Sequence, residues 1–208
     1  SISLAQLRAM WQPEAQGRVT RWSDVDPGWP PEPLVLLGAG PDSGTFDYFT
    51  EAVVGRARES RRDFLSSEDD GAIVAGIATN RFALGFLPHA YVAAHADRIR
   101  ALPVDAGAGP VQQLDENVLN GSYVPLSRPL FLYVRAEAAQ RGELRAFVEL
   151  LLSEADGFVR SVGYVPLPRQ AYELARENFR RGRLGTAFGG RPQVGLRVEE
   201  MLTRPTRQ

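Results

Sequence analysis

The sequence predicts an α/β protein, because apolar runs typical of strands are each followed by a loop and a helical pattern. Residues 34–37 have the length and branching of a buried strand, and the glycines and proline of residues 38–41 end it. A helix with an apolar face begins near Phe46. Residues 82–87 are a second strand candidate, closed by Pro88 and followed by a helical turn. Alternation of strand and helix is the pattern of α/β folds.

Size and composition indicate an ordinary globular protein and exclude several functions. The 208 residues are 44% hydrophobic and 24% charged, without an uncharged apolar run long enough to span a bilayer. All 24 basic residues are arginine and the net charge is −1, so no basic field supports nucleic-acid binding. The absence of cysteine and lysine removes thiolate metal sites, cysteine nucleophiles and Schiff-base chemistry. No cofactor is predicted.

The first elements are predicted from short local signals. Ser3 and Gln6 have the spacing of a capping box, which predicts an opening helix that ends by Pro13. Five prolines within residues 12–33 indicate an irregular segment, with Trp22 and Trp29 packed on the surface. The arginine-rich residues 56–62 are interpreted as a solvated face.

The next elements are a second helix and a second strand region. The acidic residues 68–70 are interpreted as a helix cap rather than a metal site. This helix turns Ile73, Val74 and Ile77 inward. Residues 99–104 are predicted to form a strand, and residues 105–110 a loop. His89 and His95 have no orienting partner indicated by spacing, so no catalytic triad is proposed.

The second half of the chain changes character near residue 123. Residues 130–134 (LFLYV) carry the strongest strand signal of the chain. The pattern beyond them is helical, with apolar positions around Phe147, Phe158 and Phe179. The glycine-rich residues 182–195 are interpreted as turns, followed by a short helix over residues 198–202.

The loop between the first strand and its helix has the chemistry of an oxyanion cradle. Ser43 and Thr45 supply hydroxyl donors, and Gly44 lets a ligand approach the main chain. The first N–H groups of the helix lack carbonyl partners and lie at the positive end of its dipole. The alternative is an ordinary connection in which Ser43 or Thr45 only caps the helix.

Eight stretches, taken in order along the chain, carry a family likeness. They resemble the substrate-binding proteins of phosphate-specific ABC importers, a branch of the two-lobed periplasmic-binding-protein superfamily. The matching stretches are residues 4–11 (LAQLRAMW), 22–25 (WSDV), 42–49 (DSGTFDYF), 67–70 (SEDD), 83–86 (ALGF), 123–129 (YVPLSRP), 163–167 (GYVPL) and 188–190 (FGG).

The resemblance implies non-catalytic binding of inorganic phosphate between two α/β lobes, and presentation of the anion to a membrane ABC permease outside the cytoplasm. By motif, Ser43, Gly44 and Thr45 are phosphate ligands. Some relatives place an arginine four residues before that serine, where this chain has Ala39, so the compensating arginine is an open question. Weaker candidates are Asp42, Arg81 and Arg128. No metal ligand and no catalytic residue is implied.

The resemblance also implies a domain organisation. Residues 1–123 correspond to the second, ligand-binding lobe, a three-layer α/β/α unit, and residues 124–208 to a return crossing and the helix-rich C-terminal part of the first lobe. Family members usually have most of a first lobe before the point matching Ser1. We therefore expect weak or absent phosphate affinity for this chain alone. We also expect a homodimer, or a chain supplying the missing lobe, packed on its C-terminal half.

Three alternatives stay open at this point. The chain is a truncated or split domain with an interaction or regulatory role, or it binds another tetrahedral oxyanion such as sulfate. A phosphatase with Ser43 as nucleophile would need a base that no pattern supplies.

Overall fold

The computed structural model describes residues 1–185 and 194, and the chain divides into two compact units, Ser1–Leu114 and Asp115–Gln208. The predicted division after residue 123 falls inside the second unit. The assignment of these units to two lobes stays a prediction.

A parallel three-stranded sheet organises the first unit. Its strands are β2 (Val35–Ala39), β3 (Leu65–Ser67) and β4 (Ala83–Phe86), in the order β3-β2-β4. Both neighbours run parallel to the central strand β2, which is buried over most of its length. The carboxyl ends of all three strands therefore lie at the same edge of the sheet. The two strands predicted over residues 34–37 and 82–87 are confirmed.

Helices follow the strands, as the sequence predicts. They are α1 (Leu4–Trp11), α2 (Gly44–Phe49), which continues as a π-helical turn Thr50–Val54, α3 (Asp70–Thr79) and α4 (His89–Ala94). The predicted capping box of α1 is present, and Asp69 caps α3. Ile73 and Val74 of α3 are buried as predicted.

The aromatic core of the first unit joins α1 to the sheet. The Trp11 ring meets Phe49, Phe64 and Phe86 edge-on, with centroids 5.0 to 5.3 Å apart. Phe49 and Phe86 stack with centroids 4.0 Å apart. Edge-on and stacked pairs of this kind add to the free energy of apolar burial, so the rings fix α2 against β4.

A second, smaller sheet contains β1 (Ile2–Ser3), β5 (Val104–Asp105) and β6 (Pro110–Val111). The strand predicted over residues 99–104 is wrong for residues 99–103, which are irregular. The strand does not extend further towards residue 99 because its partner strand β1 has only two residues and because Pro103 has no N–H to donate. The loop predicted over residues 105–110 is confirmed for residues 106–109, but it is wrong for Asp105 and Pro110, which belong to the strands β5 and β6.

Helices dominate the described part of the second unit. They are α5 (Asp115–Leu119), α6 (Gly142–Ser153), α7 (Ala155–Ser161) and α8 (Arg169–Arg180). Glu149 of α6 joins Arg176 and Arg180 of α8 at 3.2 and 2.6 Å. The helical pattern predicted for this half is confirmed over the described residues.

The strand predicted over residues 130–134 is wrong. These residues are assigned to no strand, and Leu130 and Tyr133 are 69% and 80% exposed. Strand propensity reports how well side chains fit a pleated surface, but a strand also needs a partner edge. Within residues 115–185 no strand is present to supply that edge.

Some predictions cannot be compared. The helix predicted over residues 198–202 and most of the glycine-rich residues 182–195 lie outside the described residues. Among the described helices, none combines the length and the apolar character needed to cross a bilayer.

Candidate functional site

The candidate site begins where β2 ends, at the carboxyl edge of the parallel sheet. Gly40 N donates to the carbonyl of Ser67 at the end of β3, at 3.1 Å, and Ser43 N donates to Gly40 O at 3.0 Å. These two hydrogen bonds fold residues 40–43, which we call the site turn, against the end of β3. Edges of this kind carry ligand sites in open α/β sheets.

Ser43, Gly44 and Thr45 come together at the start of α2, as predicted. Ser43 is the N-cap, with extended backbone angles, and its Oγ accepts a hydrogen bond from Thr45 N at 3.1 Å. Gly44 is exposed, while Ser43 and Thr45 are half-buried. The capping role of Ser43 is confirmed. Its role as a ligand stays a prediction, because a cap and an anion contact use the same hydroxyl and the same helix terminus.

The side chain of Thr50 connects α2 to the backbone of Arg58 behind this terminus. Its side chain is fully buried, and its Oγ1 donates to Phe46 O at 2.9 Å and to Asp47 O at 3.0 Å. The same oxygen accepts a hydrogen bond from Arg58 N at 2.7 Å. The Thr50 hydroxyl therefore links the helix to the segment that returns past it.

An acidic group lies against the site turn. Asp42 N donates to Glu68 Oε1 at 3.3 Å, and a β-carbon on Gly40 would come within 2.1 Å of that oxygen. Asp42 is exposed and contributes its backbone N–H to this contact. Glu68 therefore accepts the hydrogen bond of Asp42 N, a donor that an anion could otherwise use.

The pKa of Asp70, in the first turn of α3, is raised above its usual range. Desolvation by burial is the first cause, and the neighbouring charges of Asp69 and Glu68 add to it. The carboxyl edge of the sheet is therefore already rich in negative charge before any anion binds.

Arg58 is the residue at this site that sequence reasoning missed. Its Nη2 donates to Pro41 O at 2.8 Å, and Nη1 lies 3.5 Å from Asp47 Oδ2. The local composition of residues 56–62 indicates a solvated face, which is correct for Arg58 at 60% exposure but wrong for the buried Arg61. Its proximity to the site turn depends on how the chain returns after Gly55, which ends the helix in the left-handed region at φ +87°.

The structure does not bring Arg81 to the site. Arg81 precedes β4, whereas Ser43 follows β2, and the two strands are parallel with Val35 opposite Ala83. The ends of a five-residue strand are separated by about 13 Å, because each step rises about 3.3 Å. Arg81 lies in a cleft with Trp22, Trp29 and Phe82 instead. Arg128 belongs to the second unit and is exposed there.

Among the residues that the structure describes, the remaining titratable groups form no metal centre. In the described ranges, no three histidine, aspartate or glutamate side chains are arranged to hold a metal ion. His95 Nδ1 lies 2.9 Å from Tyr91 O within its own helix turn.

Comparison with known proteins places this chain in a family. A family model described as "PBP superfamily domain" matches residues 2–155. The chain therefore belongs to the PBP (periplasmic-binding-protein) superfamily, and the family likeness of its sequence motifs is confirmed.

The relatives that the chain matches include phosphate-binding proteins. It is 43% identical over 205 residues to Protein SphX of Synechocystis, covering 98% of this chain and 61% of that protein. It is 25% identical over 161 residues to the phosphate-binding protein PstS of Staphylococcus epidermidis, covering 76% of this chain and 48% of that one.

Solved structures agree with these relatives. A protein from Planctomyces limnophilus, described as a possible phosphate-binding protein, is 35% identical with a TM-score of 0.75, covering 88% of this chain and 64% of that one. A protein from Clostridium perfringens, crystallised with bound phosphate and described as a candidate phosphate ABC transporter substrate-binding protein, is 28% identical with a TM-score of 0.62, covering 80% and 63%. The chain spans about 61% of the length of its SphX relative.

Proposed function

We propose that this chain binds inorganic phosphate without chemistry, as part of the extracytoplasmic solute-binding component of an ABC phosphate importer. The observation that carries the proposal is the position of Ser43, Gly44 and Thr45, which are grouped at the carboxyl edge of a parallel sheet. Relatives named PstS and a neighbour crystallised with phosphate support the choice of ligand. That neighbour is described as an ABC transporter substrate-binding protein, which supports a membrane ABC permease as the partner that receives the anion.

The site offers neutral donors rather than a nucleophile with its base. The hydroxyls of Ser43 and Thr45 and the first N–H groups of α2 suit an oxyanion, which gains charge-assisted hydrogen bonds from them. A binding role therefore fits these side chains better than group transfer, for which Ser43 would need a general base.

Affinity is expected to be weak when the chain is studied alone. A ligand held from one side stays partly hydrated, and each hydrogen bond in water contributes a small net free energy of about 1 kcal/mol. We therefore expect a dissociation constant in the millimolar range, on the order of the affinity that about 4 kcal/mol supplies. Sulfate, a tetrahedral oxyanion of similar size, is the competitor that tests how selective the donors are.

Titration with phosphate tests the proposal. Backbone amide NMR shifts of the 208-residue chain are followed from zero to high millimolar phosphate at low ionic strength, with chloride as the anion control. We expect saturable shifts at Gly44 and Thr45, which the paired substitutions Ser43→Ala and Thr45→Val weaken. Ser153→Ala, which removes an exposed hydroxyl from the end of α6, is the matched control. Shifts that are linear in concentration, or unchanged in the paired variant, would refute the proposal.

A separate observation, the exposed apolar surface of the second unit, supports an interaction role. Large apolar side chains are at least 40% exposed there. They are Leu130, Phe131, Leu132, Tyr133, Phe147, Leu150, Phe158 and Val162. Exposed apolar area of this extent is typical of surfaces that bind other polypeptides. We propose that a second copy of the chain covers this surface in solution.

Light scattering over a hundredfold range of concentration tests the association. We expect a dimer or larger species that Phe131→Ser combined with Tyr133→Ser shifts towards the monomer. A monomer at every concentration would contradict it. A monomer that binds a separately supplied first-lobe polypeptide would instead favour the split-domain alternative.

A further inference from the structure

The guanidinium of Arg58 makes two contacts across the start of α2. Nη2 donates to the carbonyl of Pro41 in the site turn at 2.8 Å, and Nη1 lies 3.5 Å from Asp47 Oδ2 on the helix. One side chain therefore joins the segment before the cap Ser43 to the segment after it. A planar guanidinium suits this task because its donors point in fixed directions.

The backbone of Arg58 is fixed as well, by its conformation and by a hydrogen bond of its N–H. Its φ of +64° lies in the left-handed region, which residues other than glycine rarely adopt. Its N–H donates to the fully buried hydroxyl of Thr50 at 2.7 Å. That hydroxyl is bonded in turn to Phe46 O and Asp47 O within the helix. The conformation of Arg58 is thus anchored on the same helix whose first turn it braces.

The charges around the site turn explain why a cation is needed there. Glu68 lies against the turn and accepts from Asp42 N, and the carboxylates of Asp42 and Asp47 belong to the turn and to the first turns of α2. Asp47 Oδ1 is buried and accepts no hydrogen bond from the described residues. An incoming oxyanion would meet this negative charge, and Arg58 is the cation placed on Asp47.

We propose that Arg58 is a positioning residue for oxyanion binding: it holds the site turn through Pro41 and offsets the charge of Asp47 beside the helix terminus. This inference rests on the proposed function for its ligand. Its structural part, the bracing of the turn, is independent of any ligand and can be tested separately.

The first experiment compares Arg58→Gln with Arg56→Gln. Arg56 is a matched control because it stands two positions away, is half exposed, and pairs with Glu59 and Glu14 rather than with the site turn. Both variants lower the net charge by the same amount. Amide hydrogen exchange is measured in phosphate-free buffer at Asp42, Ser43, Gly44 and Thr45.

We expect Arg58→Gln to speed exchange at these four amides about threefold to tenfold, while Arg56→Gln leaves them within twofold of the wild type. Equal exchange in the two variants would overturn the proposal, whether or not phosphate binds. A wild-type chain that shows no saturable phosphate shift would refute the proposed function, and the exchange comparison would still decide the bracing role.

The second experiment uses phosphate titration at low salt concentration. Arg58→Gln is expected to weaken phosphate binding about fivefold at low salt, which is the scale of one partly exposed charge interaction. Arg58→Lys, which keeps the cation, is expected to stay within about twofold of the wild type at low salt. An Arg58→Lys variant as weak as Arg58→Gln would overturn the electrostatic part of the proposal.

Discussion

Gly38 of β2 lies directly beneath the ring of Phe86 of β4, so that a β-carbon on Gly38 would come within 2.3 Å of Phe86 Cε1. The ring has no room to withdraw, because it stacks on Phe49 with centroids 4.0 Å apart and meets Trp11 edge-on. Glycine at this position therefore lets the central strand approach the aromatic core. The site turn begins two residues further along the chain.

Gly38→Ala is expected to lower the free energy of unfolding by about 1 to 3 kcal/mol, because the added methyl overpacks the core. Urea titration followed by far-ultraviolet circular dichroism measures the change. Gly142→Ala is the control, since a β-carbon there meets no atom within 4 Å. An unfolding free energy within about 0.5 kcal/mol of the wild type for Gly38→Ala would contradict the close approach.

The Arg61–Asp63 pair makes stability depend on pH. Arg61 is buried and donates to both oxygens of Asp63 at 2.6 and 2.8 Å, and to the carbonyls of Met10 and Val19. These hydrogen bonds from Arg61 are the first cause that lowers the pKa of Asp63, and the N–H of Gly17 adds to it. A lowered folded-state pKa gives stability that is present above the unfolded value of about 3.9 and is lost as pH falls through the folded value.

Asp63→Asn should therefore lower the unfolding free energy at neutral pH and flatten its decline below about pH 4. The expected loss at pH 7 is about 1 to 3 kcal/mol, because the buried guanidinium keeps only neutral acceptors. Asp156→Asn is the control, since its pair with Arg160 is exposed and should be worth less than about 1 kcal/mol. Identical pH profiles of unfolding free energy for Asp63→Asn and the wild type would rule out the Arg61–Asp63 pair as the origin of the pH dependence.

Thr50→Val tests the buried hydroxyl that joins α2 to Arg58. Valine keeps the shape but leaves Arg58 N without its acceptor, which is expected to cost about 1 to 3 kcal/mol. The matched control is Thr79→Val, whose exposed hydroxyl donates within its own helix to Ala75 O. Thermal unfolding of the two variants provides the comparison. Equal melting temperatures would show that the hydrogen bond to Arg58 N adds no stability.

Local signals in the sequence were sufficient for the elements whose contacts are close along the chain. Ser3 with Gln6 and Ser43 with Thr45 form the predicted caps, because a cap is made by residues two or three positions apart. The helical periodicity of the second unit was likewise sufficient for α6 and α8. The start of α2 and its cap could therefore be predicted.

Contacts between distant segments could not be predicted in the same way. Arg58 reaches Pro41 across 17 positions of sequence, through a turn at Gly55 and a left-handed backbone that composition does not encode. Residues 130–134 have the composition of a strand, but nothing in their own sequence identifies a partner edge. The prediction failed there because pairing is a property of two segments.

Glu68 provides the last prediction, because its carboxylate lies where an anion would compete for the N–H of Asp42. Glu68→Gln keeps an oxygen acceptor and a similar shape but removes the negative charge. We expect phosphate binding to strengthen about twofold to fivefold at low ionic strength, the scale of an exposed charge interaction. The gain should vanish near 1 M salt, where the screening length is about 3 Å.

Glu32→Gln is the control. It removes an exposed carboxylate that precedes β2, at the opposite edge of the sheet, and is expected to leave the phosphate affinity unchanged. If Glu68→Gln and Glu32→Gln bind phosphate equally well, then the anion does not approach the donor that Glu68 holds, and the ligand must sit further towards Gly44 and Thr45.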